Sequence, residues 1–290
     1  MITKSCPAKI NLFLKVINKR CDGYHNLLSV ITKINLCDQL SVGISDHFSL
    51  KIFGQFENLI NPKNNLLTSI LNYFQEKYSI TNNLKIILEK NIPVGAGLGG
   101  GSSDACSFMK ILNEIFNLNL TKSELQKISL NFGSDIAFFF EETTQMVMNR
   151  GETLHDYNDL EKLEIVLIYP QINLSTKKIF QDYAKHNLNH LQLINAKNNF
   201  LESANNFSNT LTQQQIFDLE NDLEKIAVIH APIIQEIKDN MQNLGSINCK
   251  MSGSGSAVFA IYANFNEAQM AFKKLQEIYP NFFIKYLQNF

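Results

Sequence analysis

The chain has 290 residues, 45% of them hydrophobic, which sets an expectation of about two domains, or one large one, around a substantial core. A formal net charge of −1 offers no basic field to nucleic acid or to an anionic membrane, so any phosphate chemistry must be local. Five scattered cysteines (Cys6, Cys21, Cys37, Cys106, Cys249) form no CxxC pair and indicate neither a zinc site nor a disulfide framework, as in a reduced, cytoplasmic protein.

The first residues do not read as a signal peptide, because Lys4, Lys9 and Lys15 interrupt the apolar positions. No apolar run approaches the roughly 18 residues that span a bilayer. Ile10, Leu12, Leu14 and Val16 share one face, which predicts a strand over 9–16. Cys21 to His25 is a turn signal, and strands are expected over 27–36, 39–44 and 47–53. Asn61-Pro62-Lys63-Asn64 breaks the chain. A helix over 66–78 buries Leu67, Ile70, Leu71 and Phe74.

A strand over 84–88 then leads into Pro93-Val94-Gly95-Ala96-Gly97-Leu98-Gly99-Gly100-Gly101-Ser102-Ser103-Asp104. Glycines let such a loop bend sharply and bring N–H groups against a ligand. The helix expected over 104–116, with Ser102 or Ser103 as its N-cap, adds unpaired N–H groups and the positive end of its dipole. Together these make an anion site suited to phosphate. Thr121-Lys122-Ser123-Glu124 is a capping-box pattern, opening a helix that ends near Phe132-Gly133. Asp135 stands at the mouth of the apolar run Ile136 to Phe140, where, read alone, an N-cap explains it better than chemistry does. Strands follow over 144–148 and 163–168. Irregular helices joined by polar loops are expected over 187–209, and a helix interrupted by Pro232 over 216–243. A second small-residue loop, Met251 to Ser256, feeds a strand over 257–262. A helix over 267–278 and a strand over 282–286 complete an α+β pattern. A domain boundary between 150 and 165 is expected.

Gly95-x-Gly97-x-x-Gly100 matches the dinucleotide fingerprint, but no βαβ unit follows it. No lysine follows Gly101, as a Walker loop requires, and HRD and DFG triplets are absent. The longer string from Pro93 to Ala105 resembles the ATP loop of the small-molecule kinases that act on galactose, homoserine, mevalonate and phosphomevalonate. Pro7-Ala8-Lys9-Ile10-Asn11-Leu12 is similar to the N-terminal motif of that family, and Gly253-Ser254-Gly255-Ser256-Ala257-Val258-Phe259 to its C-terminal glycine motif. Arg20-x-Asp22-Gly23-Tyr24-His25, Gly133-Ser134-Asp135-Ile136 and Asn221-Asp222-Leu223-Glu224 resemble the branch whose substrate is a cytidyl-diphosphate-linked methylerythritol.

The resemblance implies a two-domain α+β kinase fold. A β-rich N-terminal α/β domain (S5-like) over 1–157 would join a ferredoxin-like C-terminal domain over 158–290, with the active site in the cleft between them. It implies ATP as phosphoryl donor, Mg²⁺, and transfer to the 2-hydroxyl of the erythritol moiety in the non-mevalonate isoprenoid pathway. The protein would be cytoplasmic, a monomer or weak homodimer, with no nucleic-acid or membrane partner. ATP would lie on Pro93, Val94, Gly95, Ala96, Gly97, Leu98, Gly99, Gly100, Gly101, Ser102 and Ser103, with Asn65, Leu66 and Lys90 toward adenine. Asp135 would be the general base, kept ionised by Lys9 beside it. Asn11, Tyr24, His25 and Phe180 would meet the substrate, the last stacking on its base. Read without the resemblance, Lys9 is a charged residue at a strand start and Phe180 a core residue. Asp104 is expected to cap its helix. Glu124 stands where a magnesium ligand occurs in mevalonate kinase, though the capping box already accounts for it, and the metal ligands stay unassigned. The alternatives are another kinase of the same family, a nucleotide-binding regulatory module without catalysis, and a dinucleotide oxidoreductase.

Overall fold

The computed structural model describes residues 1–59, 65–186 and 211–290. The break expected at 61–64 and the irregular helices expected over 187–209 lie outside the described residues. The chain divides into two compact units. The first holds Met1–Ala8, Leu36–Val94 and Gly99–Glu142, and the second Lys9–Asn35, Gly95–Leu98 and Thr143–Phe290.

Two long strands, β1 (Ile2–Lys19) and β2 (His25–Ser45), contribute residues to each unit. In the first unit, Gln39–Ser45 of β2 pair antiparallel with β4 (Asn83–Glu89), which pairs parallel with β3 (Ser49–Phe53). Helices α1 (Leu66–Tyr78), α2 (Gly100–Ile115) and α3 (Lys122–Ser129) follow, with a 3₁₀ segment over Ser134–Phe140. The apolar stripe expected on α1 is buried as read, at Leu67, Ile70, Leu71 and Phe74. Helix α2 packs against α1 and the 3₁₀ segment, which buries Phe108, Met109, Ile111 and Leu112 completely. Helix α3 opens with the expected capping box: Thr121 Oγ1 accepts from Glu124 N, and the Glu124 carboxylate accepts from Thr121 N at 2.8 Å.

In the second unit, Leu27–Ile31 of β2 pair antiparallel with β5 (Gln145–Asn149), and β5 pairs with β6 (Thr153–Asp156). A second antiparallel sheet has the order β10–β7–β9–β8, where β7 is Glu164–Tyr169, β8 Asn248–Met251, β9 Val258–Tyr262 and β10 Phe283–Gln288. The helices here are α4 (Thr176–His186), α5 (Gln213–Asp218), α6 (Glu224–His230), α7 (Ile233–Asn243) and α8 (Phe265–Ile278). Helices α7 and α8 lie on the sheet. The core they enclose with β1 includes Leu14, Val16, Val166, Ile168, Ile234, Ile237, Met241, Val258, Ala260 and Leu275.

Several elements differ from expectation. The strands read over 27–36 and 39–44 are one strand: buried Asp38 does not break it, because its carboxylate accepts the N–H groups of Asn91 and Ile92. Helix α2 starts at Gly100, so Ser102 and Ser103 sit in its first turn and Gly99, at φ 69°, is the N-cap. The helix read over 216–243 is three helices, separated at Leu219–Leu223 and at Ala231-Pro232. Among the described residues no helix is long and apolar enough to cross a membrane. Thr121→Ala removes an N-cap hydroxyl and is expected to cost about 1 kcal/mol of stability, read as a lower urea midpoint at unchanged slope.

Candidate active site

In the second unit three segments meet at Lys9: strand β1, residues 95–98 of the glycine loop, and the loop after β8. The backbone N–H of Lys9 donates to the Leu98 carbonyl at 2.9 Å. Its ammonium, on a residue only 5% exposed, donates to Asn11 Oδ1 at 2.5 Å. Asn11 in turn donates through Nδ2 to Ser29 Oγ at 2.9 Å, and its backbone N–H reaches Ser252 Oγ at 3.3 Å. Ser252 Oγ donates to the Gly97 carbonyl at 2.9 Å, and Ala257 N donates to the Ala96 carbonyl at 3.1 Å. Gly97 has φ 81°, and a Cβ there would collide with the Ser252 carbonyl oxygen. Glycine is therefore required both for the backbone angle and for the approach of the two loops. A Cβ at Gly253 would lie 3.3 Å from Lys9 Nζ and 3.4 Å from Asn11 Oδ1, so this loop lies directly against the ammonium.

Two residues expected to meet the substrate, His25 and Phe180, come together in the same unit. The His25 and Phe180 rings stack, with centroids 5.2 Å apart and planes at 23°. Burial, and then the nearby charge of Lys19, lower the His25 pKa from its ordinary value, which favours the neutral ring. Tyr24 is 55% exposed, and the Arg150 guanidinium lies over its ring at 3.9 Å. Phe180 sits on α4, which the sequence pattern did not reveal as a helix; the spacing of Ile179 and Tyr183 was the available signal.

In the first unit the rest of the glycine loop runs from Gly99 into α2. The first N–H groups of this 16-residue helix have no intrahelical acceptor, as at any helix start. Ser103 is fully buried, and its Oγ has no hydrogen-bond partner among the described residues. The Leu66 side chain reaches Gly101, with Cδ1 3.9 Å from where a Cβ would stand. Asn65 caps α1, accepting from Thr68 N at 3.2 Å. Asp135 is exposed in the 3₁₀ segment, whose N-cap is Gly133; no side chain caps that segment.

Lys90 and Asp104 depart from what was expected of them. Asp104 does not cap α2: its Oδ2 accepts from Lys90 Nζ at 2.6 Å. The ammonium of Lys90, 1% exposed, also donates to Asp38. Two carboxylates thus share one buried ammonium, which ties the end of β4 to the second turn of α2. Burial is the largest influence on Asp104 and pushes its carboxyl up to about 7, against the attraction of Lys90. Asp38, absent from the sequence-based site, is the residue that completes this arrangement.

Among the described residues no cluster of three or more His, Cys, Asp or Glu side chains could hold a metal ion. Glu124 is committed to its capping box, and hydrogen bonds from Thr121 hold its carboxyl below the usual value.

These two glycine loops and the strand carrying Lys9 belong to a fold seen before. Residues 65–142 match the model of the GHMP kinases N terminal domain, and residues 196–281 that of the GHMP kinases C terminal. A 4-diphosphocytidyl-2-C-methyl-D-erythritol kinase of Thermoanaerobacter sp. (strain X514) is 32% identical over 272 residues, covering 94% of this chain and 91% of that protein. The kinase of the same name from Enterococcus faecalis (strain ATCC 700802 / V583) is 33% identical, covering 95% of each. A crystal structure of a 4-(cytidine 5'-diphospho)-2C-methyl-D-erythritol kinase superposes over all of both chains, with a TM-score of 0.75 at 25% identity. The chain is a GHMP kinase, and within that class it belongs to the family of 4-diphosphocytidyl-2-C-methyl-D-erythritol kinases.

Lys90→Met leaves two buried carboxylates without their cation and is expected to destabilise the protein by about 3–5 kcal/mol, measured by urea unfolding. Asp104 binds its proton more tightly folded than unfolded, so its stabilising contribution is full below pH 3.8 and is lost as pH rises through about 7. In Asp104→Asn that component of the decline between about pH 4 and pH 7 should vanish from the unfolding free energies.

Proposed function

We propose that the chain is the ATP-dependent kinase that phosphorylates the 2-hydroxyl of 4-diphosphocytidyl-2-C-methyl-D-erythritol, yielding the 2-phosphate and ADP in isoprenoid precursor synthesis. The observation that carries the chemistry is Lys9: a buried ammonium hydrogen-bonded to Asn11, with its own backbone tied to the glycine loop. Phosphoryl transfer asks for alignment and charge stabilisation rather than covalent help from the protein. Asp135 takes the proton of the substrate hydroxyl as its oxygen forms the new bond to the γ-phosphorus. The bond from that phosphorus to the bridging oxygen breaks, and ADP leaves with the electron pair. Lys9 meets the negative charge spread over the transferring group. Residues Pro93 to Ser103 hold the triphosphate through backbone N–H groups and the start of α2.

Mg²⁺ takes most of its oxygens from phosphates and water, so it needs few protein ligands. The unpartnered Ser103 hydroxyl and its neighbour Ser102 suit that demand, and the ion would supply charge neutralisation between the phosphates. Tyr24, His25 and Phe180 form the cytosine-recognising side, and the His25–Phe180 stack supports this because a base is read by its flat face and its edge. Asn11 holds substrate hydroxyls near Lys9, while Asn65, Leu66 and Lys90 border the adenine side, Lys90 through its backbone. The matched segments, 65–142 and 196–281, fall one in each of the proposed domains, 1–157 and 158–290, although the compact units group 9–35 and 143–157 with the second. A cytoplasmic monomer or weak homodimer completes the reading.

The test is ADP release from ATP·Mg²⁺ with the cytidyl substrate. Wild type should turn over, and Asp135→Asn should lose about three orders of magnitude in kcat while still binding ATP. Turnover on mevalonate or homoserine instead would overturn the substrate, and nucleotide binding with no turnover would mark a regulatory module. Phe180→Ala should raise KM for the cytidyl substrate about tenfold or more and leave KM for ATP unchanged.

A further inference from the structure

The segment Asn221-Asp222-Leu223-Glu224 takes no part in the chemistry above, yet it is tied to both chain segments that surround Lys9. Asn221 is 3% exposed, and Nδ2 donates one hydrogen to the Met251 carbonyl at 2.9 Å and the other to the Gly253 carbonyl at 2.7 Å. Its Oδ1 accepts from Leu223 N at 3.0 Å. Two carbonyls on one side and an N–H on the other fix which way the amide faces. Asp222 accepts from Val16 N and Lys15 Nζ, each at 2.9 Å, and its own N–H donates to the Leu14 carbonyl at 2.8 Å. Glu224 accepts from Met251 N at 2.7 Å and pairs with Lys238.

Three polar side chains within four residues thus grip β1 five to seven residues beyond Lys9 and grip the loop that lies against the Lys9 ammonium. Gly253 is the link: Asn221 holds its carbonyl, and its Cα faces Lys9 Nζ and Asn11 Oδ1. We propose that Asn221 is a positioning residue for the kinase reaction, fixing the Met251–Gly253 loop so that the Lys9 ammonium is confined to the direction of Asn11 and the transferring phosphate. This rests on the assignment of Lys9 to catalysis. Asn221 makes its donated bonds to the Met251 and Gly253 carbonyls, so it acts on kcat through Lys9, whereas the N–H groups at the start of α2 hold the triphosphate.

The experiment is a double-mutant cycle with a chemical readout of Lys9. Asn221→Ala and the isosteric Asn221→Asp, which keeps the volume but loses the two donated bonds, are compared with Lys9→Ala and with Lys9→Ala/Asn221→Ala. All are assayed well below each variant's Tm, and circular dichroism selects whichever Asn221 variant keeps the wild-type spectrum. Each single Asn221 variant should lose about 10–100-fold in kcat with both KM values within about threefold of wild type. In the Lys9→Ala background the same substitution should cost no more than about twofold, because its partner in the effect is gone. Competitive acylation with acetic anhydride, read by mass spectrometry, should label Lys9 faster in the Asn221 variants and leave the surface lysines unchanged. An undiminished Asn221 effect in the Lys9→Ala background, near-wild-type kcat in both Asn221 variants, or unchanged Lys9 labelling overturns the proposal. Full activity in Lys9→Ala alone instead sinks the catalytic reading of Lys9, and the labelling arm still decides whether Asn221 restrains it.

Discussion

The approach of the Ser252 carbonyl to Gly97 is the constraint on which the second unit's chemistry depends. Space that any other residue's Cβ would fill is occupied by that oxygen, and the Ser252 hydroxyl donates to the Gly97 carbonyl from the same place. Two glycine-bearing loops more than 150 residues apart in sequence are thereby locked together, and Lys9 and Asn11 are bonded to both. A lysine side chain buried this deeply needs an oxygen partner. Asn11 supplies one, which leaves the ammonium directed rather than wandering.

The same rule recurs at two other lysines. Lys90 is enclosed by Asp38 and Asp104, so a net negative charge is buried at the start of α2 and the Asp104 carboxyl rises toward neutrality. Among the described residues Lys250 has no carboxylate in contact; its ammonium donates to the carbonyls of Leu12, Ile216 and Phe217 at 2.7–3.2 Å. Burial pushes its pKa down to about 8, since dipoles replace hydration less completely than a counter-ion does. Lys250 thus fastens β1 one residue beyond Asn11 to the C-terminal end of α5. Each buried cation joins segments distant in sequence, and each sits beside a strand or loop assigned to the reaction.

Elements with local causes were legible in the sequence. Helix α1 has the bounds its apolar spacing indicates, and the Thr121–Glu124 box opens α3 as written, because capping and periodicity are settled within a few residues. Misreadings arose where a distant partner changed the outcome. A gap was expected between strands at 37–38, but N–H groups more than 50 residues away satisfy the Asp38 carboxylate and let β2 continue. Asp104 looked like a cap, but Lys90 captures it.

The sequence by itself determined the family, since the glycine strings and their order across the chain are specific, and it determined most helices, whose signals are local. Only the tertiary structure decided what surrounds those residues. It put the Gly253 carbonyl under Asn221, stacked His25 on Phe180, and gave Lys90 two carboxylates. Pairings of this kind span tens to hundreds of residues, and nothing in local propensity encodes them; they follow from which polar groups remain to be satisfied once the apolar faces have been buried.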